Sequence, residues 1–163
     1  MPLFSSKLYI SSLTLKEKDF FLNAINEDIL NKHIAPDFNN EYSKIVDGFC
    51  SQQEFYVLLD GLNKAKVLIY VLKKNRKPIG CSMVYSFYDY VEFMYMHISK
   101  EYRKKGLGFL FQSKLESLVE AKTKMKIRCL SKSIEGAKLA EKMNYKLTSI
   151  SEKGTKTFEK IKI

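Results

Sequence analysis

The sequence predicts a mixed α/β domain of the layered α+β kind, a mostly antiparallel sheet flanked by about four helices. Three observations carry this expectation. Residues 67–98 hold three β-branched, aromatic and sulfur-rich runs joined by short polar turns, the pattern of an antiparallel meander. Residues 91–130 then read strand, loop, amphipathic helix and strand, and such a β-α-β crossover makes its two strands parallel. With 163 residues and no Pro- or Gly-rich linker, one domain over residues 1–163 is expected.

Taken in order, residues 7–11 form a short alternating strand. Thr14-Leu15-Lys16-Glu17 has capping-box spacing, so a helix should begin there, carrying Leu15, Phe20, Phe21, Ile25 and Ile29 on its apolar side. Pro36 and the Asn39-Asn40 pair are read as breaking the segment that follows. A second cap signal, Ser51-Gln52-Gln53-Glu54, precedes Phe55, Leu58, Leu59 and Leu62 at helical spacing. It predicts a helix over 52–63, with an edge strand as the alternative.

Strands are expected over 67–72, 79–87 and 91–98, with turns at 73–77 and 88–90. Leu107, Leu110, Phe111, Leu115 and Leu118 then recur at three- and four-residue steps, as in a helix with one buried face. A strand over 125–130, a helix over 134–143 and a hairpin of 145–150 with 155–161 around Lys153-Gly154 close the chain.

Lys and Arg number 28 against 18 Asp and Glu, a formal charge of +10 that attracts anions: a polyphosphate cofactor, RNA or an acidic protein. Lysine-rich composition accounts for it equally well. Cys50, Cys81 and Cys129 are odd in number and widely spaced, which argues against a disulfide framework and a zinc site, so no metal is expected. No stretch approaches the roughly 20 apolar residues of a membrane span. A soluble cytoplasmic protein is the expectation.

Arg103-Lys104-Lys105-Gly106-Leu107-Gly108 lies between a strand and an amphipathic helix. Gly106 and Gly108 let backbone approach a ligand closely, and amides at a helix N-terminus favour anions. Three cations add to the same mouth. The order lacks Gly-Lys-Ser/Thr and G-x-G-x-x-G, so it is neither a P-loop NTPase motif nor a dinucleotide fingerprint.

Arg103, Gly106 and Gly108 match the Q/R-x-x-G-x-G/A signature, and the chain here resembles the GNAT family of N-acetyltransferases. The order of elements from about Val67 to Ile150 is also similar. The resemblance implies acetyl-CoA as co-substrate, held in a V-shaped split between strands 91–98 and 125–130. Its pyrophosphate would lie on the amides of Lys104, Lys105, Gly106 and Leu107, with Gly108 beside them. Its pantetheine arm would meet backbone around Met96, His97 and Ile98. The implied partner is a primary amine of a protein or small molecule, and the enzyme a monomer or homodimer.

Transfer to an amine needs a base, an oxyanion donor and a proton source for the thiolate. Glu92, the only acid of its strand, is the first candidate base; burial would raise its pKa, and some branches of the family place a glutamate at the matching position. The alternative is a glutamate at a solvated strand start. His97 is a second candidate, or a strand histidine with one satisfied nitrogen; strict alternation sets it on the face opposite Glu92, and a bulge in the strand would change that. The family's acid, a tyrosine four residues before Gly-Phe, reads as Ala140 before Asn144-Tyr145. Ser131, Ser133, Tyr145, Tyr95 or water remain. Cys129 has no neighbouring His or Asp and reads as core.

The aromatic set Phe87, Tyr88, Tyr90, Phe93 and Tyr95 reads as hairpin packing and an acceptor-site wall. The +10 charge disfavours a polycationic acceptor unless Glu41, Asp47 and Asp60 form a local acidic patch. Two alternatives stand beside acetyl transfer to an amine. One is an aminoacyl-tRNA acceptor held by basic residues at 73–77 and 122–128; the other is a non-catalytic acyl-CoA-binding module.

Overall fold

A computed structural model describes residues 7–34, 38–52, 54–59, 63–129 and 133–163. Pro36, Gln53, Asp60, Leu62 and Ser131, each used in the sequence reading, lie outside the described residues. The first element of the described residues is β1 (Leu8–Ser12), followed by a 3-10 turn at Leu15–Glu17 and α1 (Lys18–Leu30). The capping box forms as its spacing predicts: the Thr14 amide donates to Glu17 Oε1 at 3.0 Å. Glu17 is also held by Lys73 Nζ at 2.6 Å, which ties the helix start to the sheet.

The next segment corrects the sequence reading. Residues 39–40 start a helix, α2 (Phe38–Ser51), instead of breaking one. Tyr42, Ile45 and Val46 fall on one face of it and bury in the core. Among the described residues the helix expected over 52–63 does not form; the edge strand β2 (Tyr56–Leu59) stands there, antiparallel to β3 (Asn63–Lys74) from Tyr56↔Lys66 to Leu59↔Asn63. Aromatic and β-branched residues with an open edge of β3 beside them satisfy their backbone by pairing. The Phe55 ring lies 2.4 Å from where a Cβ on Gly48 would stand, so glycine at that position admits the chain as it leaves α2.

The meander forms from β3, β4 (Lys77–Ser86) and β5 (Tyr90–Ile98). Its first turn tightens to Asn75-Arg76, both with positive φ, as a two-residue hairpin loop requires. After a 3-10 turn at Lys100–Tyr102 come α3 (Leu107–Glu116), β6 (Lys124–Cys129), α4 (Ile134–Lys142), β7 (Lys146–Ile150) and β8 (Lys156–Ile161). The sheet order is β1-β3-β4-β5-β6-β8-β7 with β2 also on β3, and β5 with β6 is the parallel pair.

Alternation along the strands divides the core between two faces. Phe21, Ile25 and Val46 pack with Ile69, Met83 and Tyr85 on the α1-α2 side. Phe111, Leu115 and Ala140 pack with Phe93, Met125 and Phe158 on the α3-α4 side. A fully buried side chain of this kind contributes roughly 1.5–3 kcal/mol. Among the described residues no helix is long and apolar enough to cross a membrane.

Candidate functional site

Strands β5 and β6 pair over Tyr90↔Lys124 to Phe93↔Ile127 and no further, although β5 runs on to Ile98 and β6 to Cys129. Past Phe93 the edge of β5 that would face β6 is open, and Met96 and Ile98, both half-buried, lie on that stretch. A β-bulge sits at the divergence. Met83 pairs with Tyr95 and Val84 with Phe93, so Met94 is an extra residue without a cross-strand partner.

The bulge corrects the strict-alternation expectation. Glu92 lies opposite Tyr85, Tyr95 opposite Met83, and His97 opposite Cys81, three residues of the core under α1 and α2. Glu92, Tyr95 and His97 therefore share that face. Without the added residue, His97 would point to the other side.

Glu92 is only 1% exposed. Burial raises its pKa above the ordinary carboxylate value, against the opposing pull of Arg128 and Lys126. Arg128 Nε is ion-paired with Glu92 Oε1, yet that oxygen accepts no hydrogen bond among the described residues. The carboxylate is thus desolvated and incompletely partnered. Tyr85, across from it, lines a cavity of about 560 Å³ with Asn40, Glu41, Lys44 and Ile45 of α2 and Val57, Leu58 and Leu59 of β2.

His97 belongs to a different cluster, one that composition did not reveal. Its Nδ1 lies 2.9 Å from Asp28 Oδ2, and the same carboxylate accepts from Tyr95 Oη and faces His33 Nδ1 at 3.3 Å. Burial alone would raise the pKa of Asp28; the hydrogen bonds from His97 and Tyr95 outweigh it and the net shift is downward. Glu27, one residue earlier, stands 3.8 Å from His97 Nε2 and 3.2 Å from Arg103 Nη2. An acid ending the buried stripe Phe21, Ala24, Ile25, Asp28 was the available signal.

Asp28→Asn should cost about 2–3 kcal/mol at pH 7, the range for removing one partner from a buried charged network. A depressed carboxylate pKa stabilises the fold above the unfolded value, near 3.9, and that stability is lost as pH falls through the folded value. The difference between parent and variant should therefore shrink on acidification below about pH 4 in denaturant titrations.

The loop at 103–108 is exposed at Lys104, Lys105 and Gly106, and half-buried at Arg103, Leu107 and Gly108. Among the described residues, the amides of residues 104–109 donate to no backbone carbonyl. Lys104 and Gly106 have positive φ, of 62° and 78°, so left-handed residues alternate through the loop ahead of α3, as in backbone turns that bind anions. The first turn of α3 carries no acid. A Cβ on Gly106 would meet nothing within 4 Å, and one on Gly108 only Leu139 Cδ2 at 4.0 Å. No described neighbour crowds the space over these glycines.

Arg103 differs from the role expected of it as a third free cation. Its Nε donates to Ile98 O at 2.7 Å and its Nη2 to Glu27, so it anchors the loop to β5 and α1. Lys104 and Lys105 remain the loop's exposed cations.

Ser133 is at the N-cap of α4 without a side-chain capping bond. Its Oγ and Cys129 Sγ would lie 2.9 and 3.0 Å from a Cβ on Gly136, so it sits beside Cys129 on the α4 side. Tyr145 is buried, with its hydroxyl near Gln112 Nε2 at 3.5 Å, and burial raises its pKa. Burial likewise raises that of Tyr95, which is bonded to Asp28. Burial pushes the Cys129 thiol up to about 11, which suits a core residue. Ala140 is fully buried.

Of the aromatic set, Phe87 and Tyr90 stack at 4.4 Å across the hairpin, while Tyr88 is fully exposed at its tip. Within the basic segments Lys73 pairs with Glu17, Lys126 with Glu159 at 3.4 Å, and Arg128 with Glu92, while Arg76, Lys77, Lys122 and Lys124 are exposed. Of the acids considered for a local patch, Asp47 is paired with Lys18 and Glu41 lines the cavity by α2.

A comparison with curated protein sequences gives no match. Among solved structures, the chain is similar to PaiA N-acetyltransferase from Thermoplasma acidophilum in complex with coenzyme A, with TM-score 0.73 and 12% identity over 95% of this chain and 99% of that one. It is similar to yncA from Salmonella typhimurium with its cofactor acetyl-CoA, at TM-score 0.69 and 15% identity, covering 94% of this chain and 93% of that one. The ribosomal-protein-S18-alanine N-acetyltransferase from Escherichia coli gives TM-score 0.65 and 14% identity, with 96% of each chain covered. At these identities the likeness is one of fold. The sequence itself matches the model of the Acetyltransferase (GNAT) family over residues 31–145, more than half its length. The mixed sheet, the split at Phe93 and the glycine loop before α3 are accordingly the framework of a family member: the chain belongs to the GNAT acetyltransferase family.

Proposed function

We propose that the chain is an N-acetyltransferase that uses acetyl-CoA and acts on a primary amine of a small molecule or protein. The observation that carries this reading is the loop: amides at residues 104–109 that donate to no backbone carbonyl among the described residues, open space over Gly106 and Gly108, and a helix N-terminus without an acid. Lys104, Lys105, Gly106, Leu107 and Gly108 would hold the pyrophosphate, with Arg103 fixing the loop. The open edge of β5 at Met96, His97 and Ile98 would meet the pantetheine arm, although Ile98 O already accepts from Arg103. When bound, acetyl-CoA supplies the acyl group as a reactive thioester.

Glu92 takes the proton from the incoming ammonium, which is almost fully protonated near neutrality. Its burial and raised pKa suit a base working close to neutral pH. His97, bonded to Asp28, orients the β5 edge instead of exchanging protons with the acceptor. Ser133 or water returns a proton to the departing thiolate, since Tyr95 and Tyr145 are buried with raised pKa values. The acceptor would enter beside α2, β2 and Tyr85. The three free thiols fit a reducing compartment such as the cytoplasm, with the enzyme acting as monomer or homodimer.

Ala140 favours a second reading, a binder that keeps acetyl-CoA and lacks transfer. Free-thiol release from acetyl-CoA, followed across a panel of amines, separates the two. Amine-dependent release supports transfer; stabilisation by acetyl-CoA without release by any amine supports the binder. The aminoacyl-tRNA reading requires binding that weakens steeply with salt, and salt-indifferent binding would count against it.

A further inference from the structure

Beyond the split, one cavity has a chemistry that concerns more than the reacting amine. It measures about 410 Å³ and is lined by Arg128, Ser149, Ile150, Ser151, Thr155 and Thr157. One guanidinium and four hydroxyls line it, with no acid among them. Arg128 pairs across the sheet with Thr157, and Thr157 with Ser149, so the three form a row across one face. Ser151 Oγ accepts from the Thr155 amide at 3.0 Å, which leaves its own proton free to donate.

Arg128 is placed to join this cavity to Glu92. It lies one residue past Ile127, the last β6 residue paired with β5, and its side chain is 50% exposed. Nε meets the buried carboxylate, and among the described residues neither Nη has a partner. A guanidinium with Nε on an acid, in a hollow that four hydroxyls also line, is suited to a second anion.

We propose that this cavity receives an anionic group, carboxylate or phosphate, carried a few bonds from the acceptor's amine, so that the substrate class is a zwitterionic amine. The inference rests on the acetyl-transfer reading and on Glu92 as base. A carboxylate beside a guanidinium is the charge complement of an ammonium beside an anion. The acceptor's anion shares the guanidinium and weakens its hold on Glu92 as the ammonium arrives, so the base becomes more basic when it is needed. A polycationic acceptor would set its second cation against Arg128 and Lys126. The formal charge of +10 steers in the same direction.

The test compares matched amines at saturating acetyl-CoA by thiol release: β-alanine with β-alaninamide, phosphoethanolamine with ethanolamine, and spermidine. The expected result is a kcat/KM at least about tenfold higher for the anionic member of a pair, the fold-change of one good charged contact. The carboxylate and phosphate pairs distinguish the two sources of the anion. Arg128→Gln should erase the difference within the pair while its melting temperature still rises with coenzyme A. Equal or better turnover of the neutral or polycationic amines, or no turnover of any anionic amine, would overturn the proposal and leave coenzyme A binding standing. Absence of coenzyme A stabilisation in the parent would overturn both readings.

Discussion

Gly108→Glu should abolish binding of coenzyme A while making the free protein no less stable. Two effects act in opposite directions at this position. Gly108 is the second residue of α3, has no positive φ, and a Cβ there would meet only Leu139 at 4.0 Å. Any side chain in a helix loses less conformational entropy than glycine, and an acid in the first turn complements the helix dipole; together these contribute about 0.5–1 kcal/mol. The new carboxylate also occupies the anion cradle, where it fills the space and reverses the charge that a diphosphate requires. For the parent, ligand at about 100 times its Kd adds about 2.7 kcal/mol, a rise of roughly 5–10 °C in Tm for a chain of this size. Thermal denaturation with and without coenzyme A should show that rise in the parent and none in Gly108→Glu. Gly106 is a poorer choice, because its φ of 78° makes any substitution strained whether or not ligand is present.

Glu92→Gln should lower kcat by about 100-fold or more, in the range for loss of a general base, with coenzyme A stabilisation retained. In the parent the rate should rise with pH through the raised pKa of Glu92, because only the ionised form accepts a proton. That limb should vanish in the variant. The stability effect has a definite sign. A folded pKa raised above the unfolded value contributes stability that is complete below the unfolded value, near 4.3, and is lost as pH rises through the folded one. Above that folded value the ionised, desolvated carboxylate is a liability that the neutral amide removes, so the Tm of Glu92→Gln relative to the parent should rise as pH increases. Unchanged turnover would remove Glu92 from the chemistry.

Much of this arrangement is legible in sequence because it is local. The meander shows in the runs around Val71, Met83 and Tyr95, the crossover in the helical repeat from Leu107 to Leu115, and the loop in its two glycines. The features missed depend on partners distant in the chain. Phe55 to Leu59 fit either period, and the free edge of β3 decided for a strand. Met94 carries no Gly or Pro to announce a bulge, so the face of His97 follows only from the register against Met83 and Val84. The pairing of Glu92 with Arg128 depends on the parallel register of β5 and β6. Arg103 reads as a ligand cation until Glu27, far upstream, is seen to hold it.

The central claim is that backbone amides at residues 104–109 grip the diphosphate of coenzyme A. Amide hydrogen exchange measured with and without coenzyme A tests it at those atoms. Slowed exchange concentrated at 104–109, with pantetheine giving no such slowing at the same concentration, is the predicted result. Binding that protects other segments while these amides exchange at their free rate would contradict it.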